Sequence, residues 1–141
     1  MAALRVLRSE NSLYEELILS PSILGKRVDF LYDFLSSRGI SSLSEVTVDT
    51  LKAFISHARQ EFAFSPKQFS AYKGDLETIC FAYLKSAGHP FTSLSYAENA
   101  IGRKALTFLY ALGITSLTEI TADTRKAYEK YLELSVPSKV I

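Results

Sequence analysis

The sequence predicts an all-α protein, and three observations support this prediction. Apolar residues recur every three or four positions along nearly the whole chain, which is the period of an amphipathic helix. Residues that start or stop helices separate these segments, with Ser or Thr before them and Gly after them. No segment alternates apolar and polar residues for long enough to predict a strand. We therefore expect one or two small helical bundles.

The helix boundaries follow from capping signals. Ser and Thr accept hydrogen bonds from the first turn of a helix, Pro fits the first helical position, and Gly adopts the left-handed conformation that ends a helix. By these signals the helices begin at Ser12, Ser20, Thr47, Ser65, Ser95 and Thr121. Three of them end at Gly39, Gly88 and Gly113. The residues expected to face the core are Leu13, Leu17, Ile18, Leu24, Val28, Leu31, Phe34, Leu35, Leu51, Phe54, Ile55, Ala58, Phe62, Phe69, Tyr72, Leu76, Ile79, Cys80, Tyr83, Ile101, Ala105, Phe108, Leu109, Leu112, Tyr128, Tyr131 and Leu132.

One phrase of the sequence occurs twice. GISSLSEVTVDTLKAF spans Gly39 to Phe54, GITSLTEITADTRKAY spans Gly113 to Tyr128, and ten of the sixteen pairs are identical. Each copy combines a glycine that stops a helix, an Ile and a Leu that fill the corner, and a Thr that caps the next helix. A good packing corner explains the apolar positions, but it does not require the identities at the polar ones. We therefore predict a duplicated helical hairpin.

Length and composition bound the domain organisation and the location. The chain has 141 residues, a net charge of +1 and a single cysteine, Cys80, in an apolar run. We place a domain boundary in residues 86–94, which contain Gly, His and Pro, and so predict domains 1–88 and 89–141. A single cysteine forms no intrachain disulfide, and no apolar run is long enough to span a membrane. We expect a soluble, cytoplasmic protein with no membrane partner.

A set of spaced residues in positions 22–88 indicates a particular type of helical domain. The set consists of Phe34-Leu35, Gly39-Ile40, the link from Leu43 to Thr47, Leu51, Ser65, Tyr72 and the run from Phe81 to Leu84. It resembles the N-terminal SAM-like, core-binding domain of tyrosine recombinases (phage integrases). Residues 96–134 resemble the first half of a second copy, which stops where its third helix would begin and so indicates a truncated chain.

The resemblance implies a SAM-like bundle that binds double-stranded DNA during integration and recombination, together with other recombinase protomers. That family carries catalysis in a separate C-terminal domain, with an Arg, a His-x-x-Arg box and a nucleophilic Tyr. Here Gln60 and Thr92 follow His57 and His89 where the box requires Arg. We expect no catalytic residue and no enzymatic activity in this chain. It also lacks metal-ligand spacings and glycine-rich phosphate motifs, so no metal or cofactor is expected.

The resemblance also implies which residues contact DNA, because the family grips the duplex with its first and third helices. The matching residues here, with those of the second copy, are Lys26, Arg27, Ser65, Lys67, Gln68, Lys73, Arg103 and Lys104. Lys and Arg neutralise phosphates, and polar groups at helix N-termini position the duplex. Asp29, Asp75 and Glu77 interrupt the positive faces, so modest affinity is expected. Weaker candidates are Lys52, Arg59, Arg125, Lys126 and Lys130.

Two other functions fit the sequence. Small helical bundles with exposed Tyr and Phe often serve as protein–protein interaction modules. Residues 103–121, RKALTFLYALGITSLTEIT, also resemble the corners of helix-hairpin-helix and RNA-polymerase α-C-terminal-like domains, whose backbone N–H groups contact phosphate without reading sequence. A continuous positive face would favour DNA, whereas an exposed apolar patch would favour a partner protein.

Overall fold

The computed structural model describes residues 12–18, 23 and 25–134, which form helices and contain no strand. The α-helices, in chain order, are α1 (Ser12–Leu17), α2 (Lys26–Ser37), α3 (Val48–Glu61), α4 (Pro66–Tyr72), α5 (Asp75–Ser86), α6 (Ala100–Ala111) and α7 (Ala122–Leu134). Short 3-10 turns lie at Leu43–Glu45, Pro90–Ser93, Ser95–Glu98 and Leu117–Glu119. The prediction of an all-α fold is confirmed.

Two helical hairpins pack around α5. We call α2, α3 and the corner between them hairpin 1, and α6, α7 and their corner hairpin 2. Helix α5 contacts α2, α3 and α6, while α1 packs on α2 and α5, and α3 contacts α7. One buried cluster runs from Leu13 to Tyr131 and includes Phe91, which lies just after the predicted domain boundary. The boundary at residue 88 stays a prediction, with buried core on both sides of it.

The two copies of the repeated phrase have the same local geometry. Gly39 and Gly113 end α2 and α6 with φ of 76° and 94°, in the left-handed region that favours glycine. In each copy the next N–H donates to a carbonyl five positions back, at 3.0 Å. The hydroxyls of Thr47 and Thr121 then accept from an N–H in the first turn of the next helix, at 3.4 Å and 3.3 Å. The predicted glycine stops and threonine caps are confirmed.

The predicted fourth helix is divided in the structure. Helix α4 ends at Tyr72 and α5 begins at Asp75, with Gly74 as the residue that precedes α5. Glycine is a poor helix former, so it favours a break at this position. The short α4 therefore ends in a bend rather than continuing the apolar stripe.

The predicted start of the fifth helix is wrong. Helix α6 begins at Ala100, and the side chain of Asn99 caps it by accepting from the Gly102 N–H at 2.7 Å. Ser95 opens a separate 3-10 turn instead. Asn and Ser cap helices about equally well, so the capping preference alone does not choose between these two starts. Helix α2 begins at Lys26, and the start predicted at Ser20, the core position Leu24 and the tail 135–141 lie outside the described residues.

Most of the described residues that were expected to face the core are buried or half-buried. Four of them are exposed instead, namely Ile18, Ile101, Leu112 and Leu132, at 50%, 81%, 41% and 36%. A helical period identifies the apolar side of a helix, but burial also requires a neighbour that covers that side. Three of the four, Ile101, Leu112 and Leu132, lie in hairpin 2.

Gly102 lies where the 3-10 turn Ser95–Glu98 packs against α6. A Cβ atom at this position would lie 1.7 Å from the backbone oxygen of Tyr96. Backbone atoms cannot rotate away as a side chain can, so only glycine fits without a shift of the turn or the helix.

We expect Gly102→Ala to lower the free energy of unfolding by about 1–2 kcal/mol, because the overpacking outweighs a gain in helix propensity of about 1 kcal/mol. Urea unfolding followed by circular dichroism measures this loss. The matched control is Gly74→Ala, since a Cβ there meets only the Glu77 Oε1 atom, at an ordinary 3.7 Å. Equal losses in the two variants would contradict the role of the close approach.

Candidate nucleic-acid interface

Three basic side chains come together where α3, α6 and the end of α4 meet. They are Arg59 on α3, Lys73 directly after α4 and Lys104 on α6, and we call them the cationic cluster. Burial lowers the pKa of Lys73, and the positive charges of Lys104 and Arg59 lower it further. Lys73 therefore lies close enough to both Lys104 and Arg59 for their charges to repel its own.

The buried ring of Phe69 holds two members of the cluster. The Arg59 Cζ atom lies 4.5 Å from the ring centroid, and the Lys73 Nζ atom lies 5.6 Å from it. Cations are attracted to the face of an aromatic ring. Arg59 Nη2 also donates to the Leu134 carbonyl at 2.6 Å, which joins α3 to the end of α7. The positions of these two charges are thus set by the folded core.

A buried carboxylate on α5 offsets part of this positive charge. Glu77 is 8% exposed; it accepts a hydrogen bond from the hydroxyl of the buried Tyr131, and its Oε1 lies 3.7 Å from Lys104 Nζ. Burial raises the pKa of Glu77, and the charge of Lys104 opposes that rise. Glu77 thereby ties α5 to hairpin 2 and fixes the position of Lys104.

A groove of about 780 Å³ lies between α5 and α6, and we call it the α5–α6 groove. Lys85, Arg103 and Lys104 line it. Arg103 is half-buried and donates to the Ala97 carbonyl at 3.0 Å, while Lys85 is exposed. The hydroxyl-bearing residues that also line the groove are Thr78, Ser86 and Thr92. Ammonium, guanidinium and hydroxyl groups are the donors that bind phosphate oxygens in protein–DNA complexes.

Arg27 is committed to a structural ion pair. Its guanidinium donates to both carboxylate oxygens of Asp75, with a distance of 2.8 Å from Nε to Oδ2, and to the Ala71 carbonyl at 3.1 Å. Burial raises the pKa of Asp75, which is 2% exposed, and the bond from Arg27 opposes that rise. Arg27 therefore joins α2 to the start of α5, and Asp75 compensates its charge.

The remaining predicted contacts lie at the starts of two helices. Lys26 is exposed in the first turn of α2, and Lys67 and Gln68 are exposed in the first turn of α4. The Ser65 hydroxyl accepts from the Gln68 N–H at 3.3 Å and so acts as the cap of α4. The hydroxyl oxygen of Ser65 is therefore already used in capping α4, a helix of only seven residues.

Of the eight predicted DNA contacts, the structure thus places Lys73, Arg103 and Lys104 in the cluster or the adjoining groove. Arg59 was predicted only as a weaker candidate, and Lys85 was not among the predicted contacts. One signal was present for Lys85, because it follows the groove residue Thr78 by two helical turns and so lies on the same side of α5.

The two corners use their N–H groups internally. In hairpin 2 the N–H groups of Gly113 and Ile114 donate to carbonyls of α6, and the N–H of Thr115 donates to Glu119 Oε1 at 2.8 Å. The corner of hairpin 1 makes the same bonds, with Glu45 as the acceptor. A carboxylate beside each corner repels phosphate. This geometry does not favour the helix-hairpin-helix mode of binding DNA.

The two histidines and the cysteine contact other parts of the fold. The ring of His57 stacks on Phe30 at 5.0 Å, and His89 Nδ1 accepts from the Phe91 N–H at 3.1 Å. Cys80 is buried, and burial raises the pKa of its thiol. No group of three or more His, Cys, Asp or Glu side chains within the described residues is arranged to hold a metal.

Comparisons with protein-family models, with curated proteins and with solved structures give no match. Within the described part of the chain, no helix has both the length and the apolar character that crossing a membrane requires. The function is therefore argued from the cationic cluster and the groove beside it.

Proposed function

We propose that this chain binds the phosphate backbone of double-stranded DNA as a non-catalytic module of the tyrosine-recombinase type, alongside other recombinase protomers. The observation that carries the proposal is the cationic cluster of Arg59, Lys73 and Lys104. Like charges held together by a folded core cost free energy, and a bound polyanion relieves that cost. Phosphates spaced along a duplex supply such a polyanion.

The α5–α6 groove extends the positive surface beyond the cluster. Lys85 and Arg103 add two cations, and the threonine and serine hydroxyls add neutral donors. Sequence-independent contacts of this kind position a protein on DNA. The recombinase assignment is supported by the resemblance of residues 22–88 and by the agreement of two of its implied contacts, Lys73 and Lys104, with the cluster.

The buried carboxylates limit the affinity of the proposed site. Glu77 offsets one charge of the cluster, and Asp75 offsets Arg27. Because these carboxylates offset part of the positive charge, binding releases a small number of counterions. We expect weak binding that is easily displaced by salt.

The double variant Lys73→Met/Lys85→Gln tests the proposal. We expect it to weaken binding of a labelled duplex about tenfold at low salt, and to reduce the slope of log affinity against log salt by about 2, since each lost phosphate contact lowers that slope by about 1. Fluorescence anisotropy at several salt concentrations measures both quantities. Lys73→Met relieves the repulsion from Lys104 and Arg59, gives up a smaller attraction to Glu77, and places an apolar side chain of similar length beside Phe69. We therefore expect the fold to be retained, which a circular dichroism melt checks.

The matched control is Arg38→Glu, which lowers the net charge by the same amount at an exposed position outside the cluster and the groove. We expect this control to change the affinity less than threefold, as a general effect of net charge. Equal weakening in the double variant and in the control would contradict the proposed site. Absence of binding at low salt would contradict the proposed function itself.

A further inference from the structure

Hairpin 2 carries an open apolar groove of about 500 Å³, which we call the corner-2 groove. It lies between α6, the 3-10 turn Ser95–Glu98, the corner of hairpin 2 and the start of α7. Its lining includes the aliphatic side chains Leu109, Leu117 and Ile120. Ile101 and Tyr96 also line it and are 81% and 59% exposed. An exposed apolar groove of this kind is typical of an interaction site.

The repeat identifies what the corner-2 groove corresponds to in hairpin 1. Leu109, Leu117 and Ile120 align with Leu35, Leu43 and Val46, which lie 74 positions earlier. Those three counterparts are 0%, 1% and 5% exposed. In hairpin 2, Leu109 is also buried, at 8% exposed, but Leu117 and Ile120 are only half-buried. The same surface is thus fully covered in hairpin 1 and partly uncovered in hairpin 2.

Helix α1 covers this surface in hairpin 1. Leu13 and Leu17, four residues apart and therefore on one side of α1, are no more than 1% exposed. Between them, Glu16 accepts from the Leu43 N–H at 2.6 Å and from the Ser42 hydroxyl at 3.1 Å. Two aliphatic side chains and one carboxylate therefore anchor a helix on the corner.

Hairpin 2 contains the same residues that bind α1 in hairpin 1. Ser116 and Leu117 stand at the positions of Ser42 and Leu43, at the start of a 3-10 turn of the same length. Arg125, which lines the corner-2 groove, replaces the buried Leu51 of hairpin 1 and adds a positive charge at its edge. An acidic helix is thus the better complement to this groove.

We propose that the corner-2 groove binds an amphipathic helix of a partner protein, one with two aliphatic side chains four residues apart and a carboxylate near them. The occupant is a separate helix rather than the same face of a second copy, because a concave groove needs a convex partner. Arg103 and Lys104 line the α5–α6 groove, whereas Ile101 and Ala105 line the corner-2 groove, so α6 separates the two sites. Helix binding is therefore compatible with DNA binding.

A peptide with the sequence of α1 is the probe, because α1 makes this contact in hairpin 1. We would titrate a fluorescein-labelled peptide of residues 10–20, with a hydrocarbon staple joining positions 11 and 15, against the full chain. We expect saturable binding that Ile101→Asp weakens about tenfold, since it places a carboxylate in an apolar contact. We expect Glu16→Lys in the peptide to weaken binding to a similar extent. Because Ile101 is exposed, its substitution leaves the fold intact, which a circular dichroism melt checks.

The matched control is Phe64→Asp, since Phe64 is 101% exposed and lies outside the groove. We expect it to leave peptide affinity unchanged, as should the DNA variant Lys73→Met/Lys85→Gln, so that failure of one proposal is separable from failure of the other. No saturable binding, or equal weakening by Phe64→Asp, would overturn the proposal. A dimer of the chain alone, seen by sedimentation and dissociated by Ile101→Asp, would overturn it in favour of a second copy.

Discussion

Phe108→Ala is expected to lower the free energy of unfolding by about 3–5 kcal/mol, the usual cost of truncating a buried phenylalanine. Phe108 is fully buried on α6, and its ring centroid lies 5.1 Å from that of Tyr128 and 5.0 Å from that of Tyr131. Truncation leaves a cavity beneath two rings that are themselves held by α7. We expect the helices around it to fill only part of that space.

The same variant tests whether the chain unfolds as one unit. Because the buried cluster continues from hairpin 1 through α5 into hairpin 2, we expect one cooperative transition, with a lower urea midpoint in Phe108→Ala. Circular dichroism gives the midpoint, and hydrogen exchange by mass spectrometry shows whether α2 and α3 lose protection with α6 and α7. Phe64→Ala, at a fully exposed position, is the control and should change stability by less than about 0.5 kcal/mol. Two separate unfolding transitions would instead support separate domains at 1–88 and 89–141, provided that Phe108→Ala lowers the urea midpoint of only the less stable one.

The helices and corners were predictable because their signals are local. Gly39 and Gly113 adopt the left-handed conformation, and Thr47 and Thr121 cap within three residues of their own position. Errors arose where two local signals competed, as at the start of α6, where Asn99 caps the helix instead of Ser95. No local pattern decides that competition, because it depends on how the preceding turn packs.

The candidate site was only partly predictable, since its contacts join distant parts of the chain. Arg27 and Asp75 are 48 residues apart, and Glu77 and Tyr131 are 54 apart. In the sequence, Asp75 and Glu77 look like acidic residues that interrupt a solvated positive face. In the structure both are buried and hold α5 in place. The period of α5 cannot reveal this, because burial of a carboxylate depends on a partner from another helix.

The exposure of Ile101 shows the opposite case. Its apolar character and its spacing with Ala105 predicted a core position, but no described element covers that side of α6. The pattern correctly identified an apolar surface, and this surface is the one that we propose binds a helix. The sequence pattern does not tell whether the helix that would cover this side of α6 belongs to the same chain or to a partner.

Lys104→Met is expected to lower the free energy of unfolding by about 2–3 kcal/mol at pH 7, because it removes the cation that interacts most strongly with the buried Glu77 carboxylate and leaves only the weaker interaction with Lys73. This lies below the usual range for a buried pair, since the Lys104 side chain is 24% exposed and the distance from its Nζ to Glu77 Oε1 is 3.7 Å. The Lys104 Nζ atom lies 5.8 Å from the centroid of the Tyr131 ring, and methionine places an unbranched apolar side chain of similar length there. The loss therefore reports the charge and not a cavity.

The pH dependence identifies Glu77 as the cause. Burial raises the pKa of Glu77 above its ordinary value of 4.5 in the folded chain, so its protonated form is favoured by folding. The contribution of Glu77 to the free energy of unfolding is fully present below pH 4.5 and is lost as the pH rises through the pKa of Glu77 in the folded chain. Lys104→Met removes a charge that opposes this increase, so the pKa of Glu77 in the folded variant is higher still. The variant therefore continues to lose stability over a pH range in which the wild type no longer does. We expect the variant to match the wild type closely near pH 4 and to differ most at pH 7.

Glu77→Gln in the Lys104→Met background completes the argument, since an uncharged amide needs no cation and its oxygen still accepts from the Tyr131 hydroxyl. We expect this double variant to recover most of the stability at pH 7 and to lose the pH dependence that separates Lys104→Met from the wild type. Urea unfolding at pH 4, 5.5 and 7 measures all three chains, and comparison at equal pH cancels the titration of every other group. If the double variant is as unstable as Lys104→Met at every pH, Lys104 stabilises the chain by packing alone. The carboxylate would then not be the element that positions Lys104 for DNA.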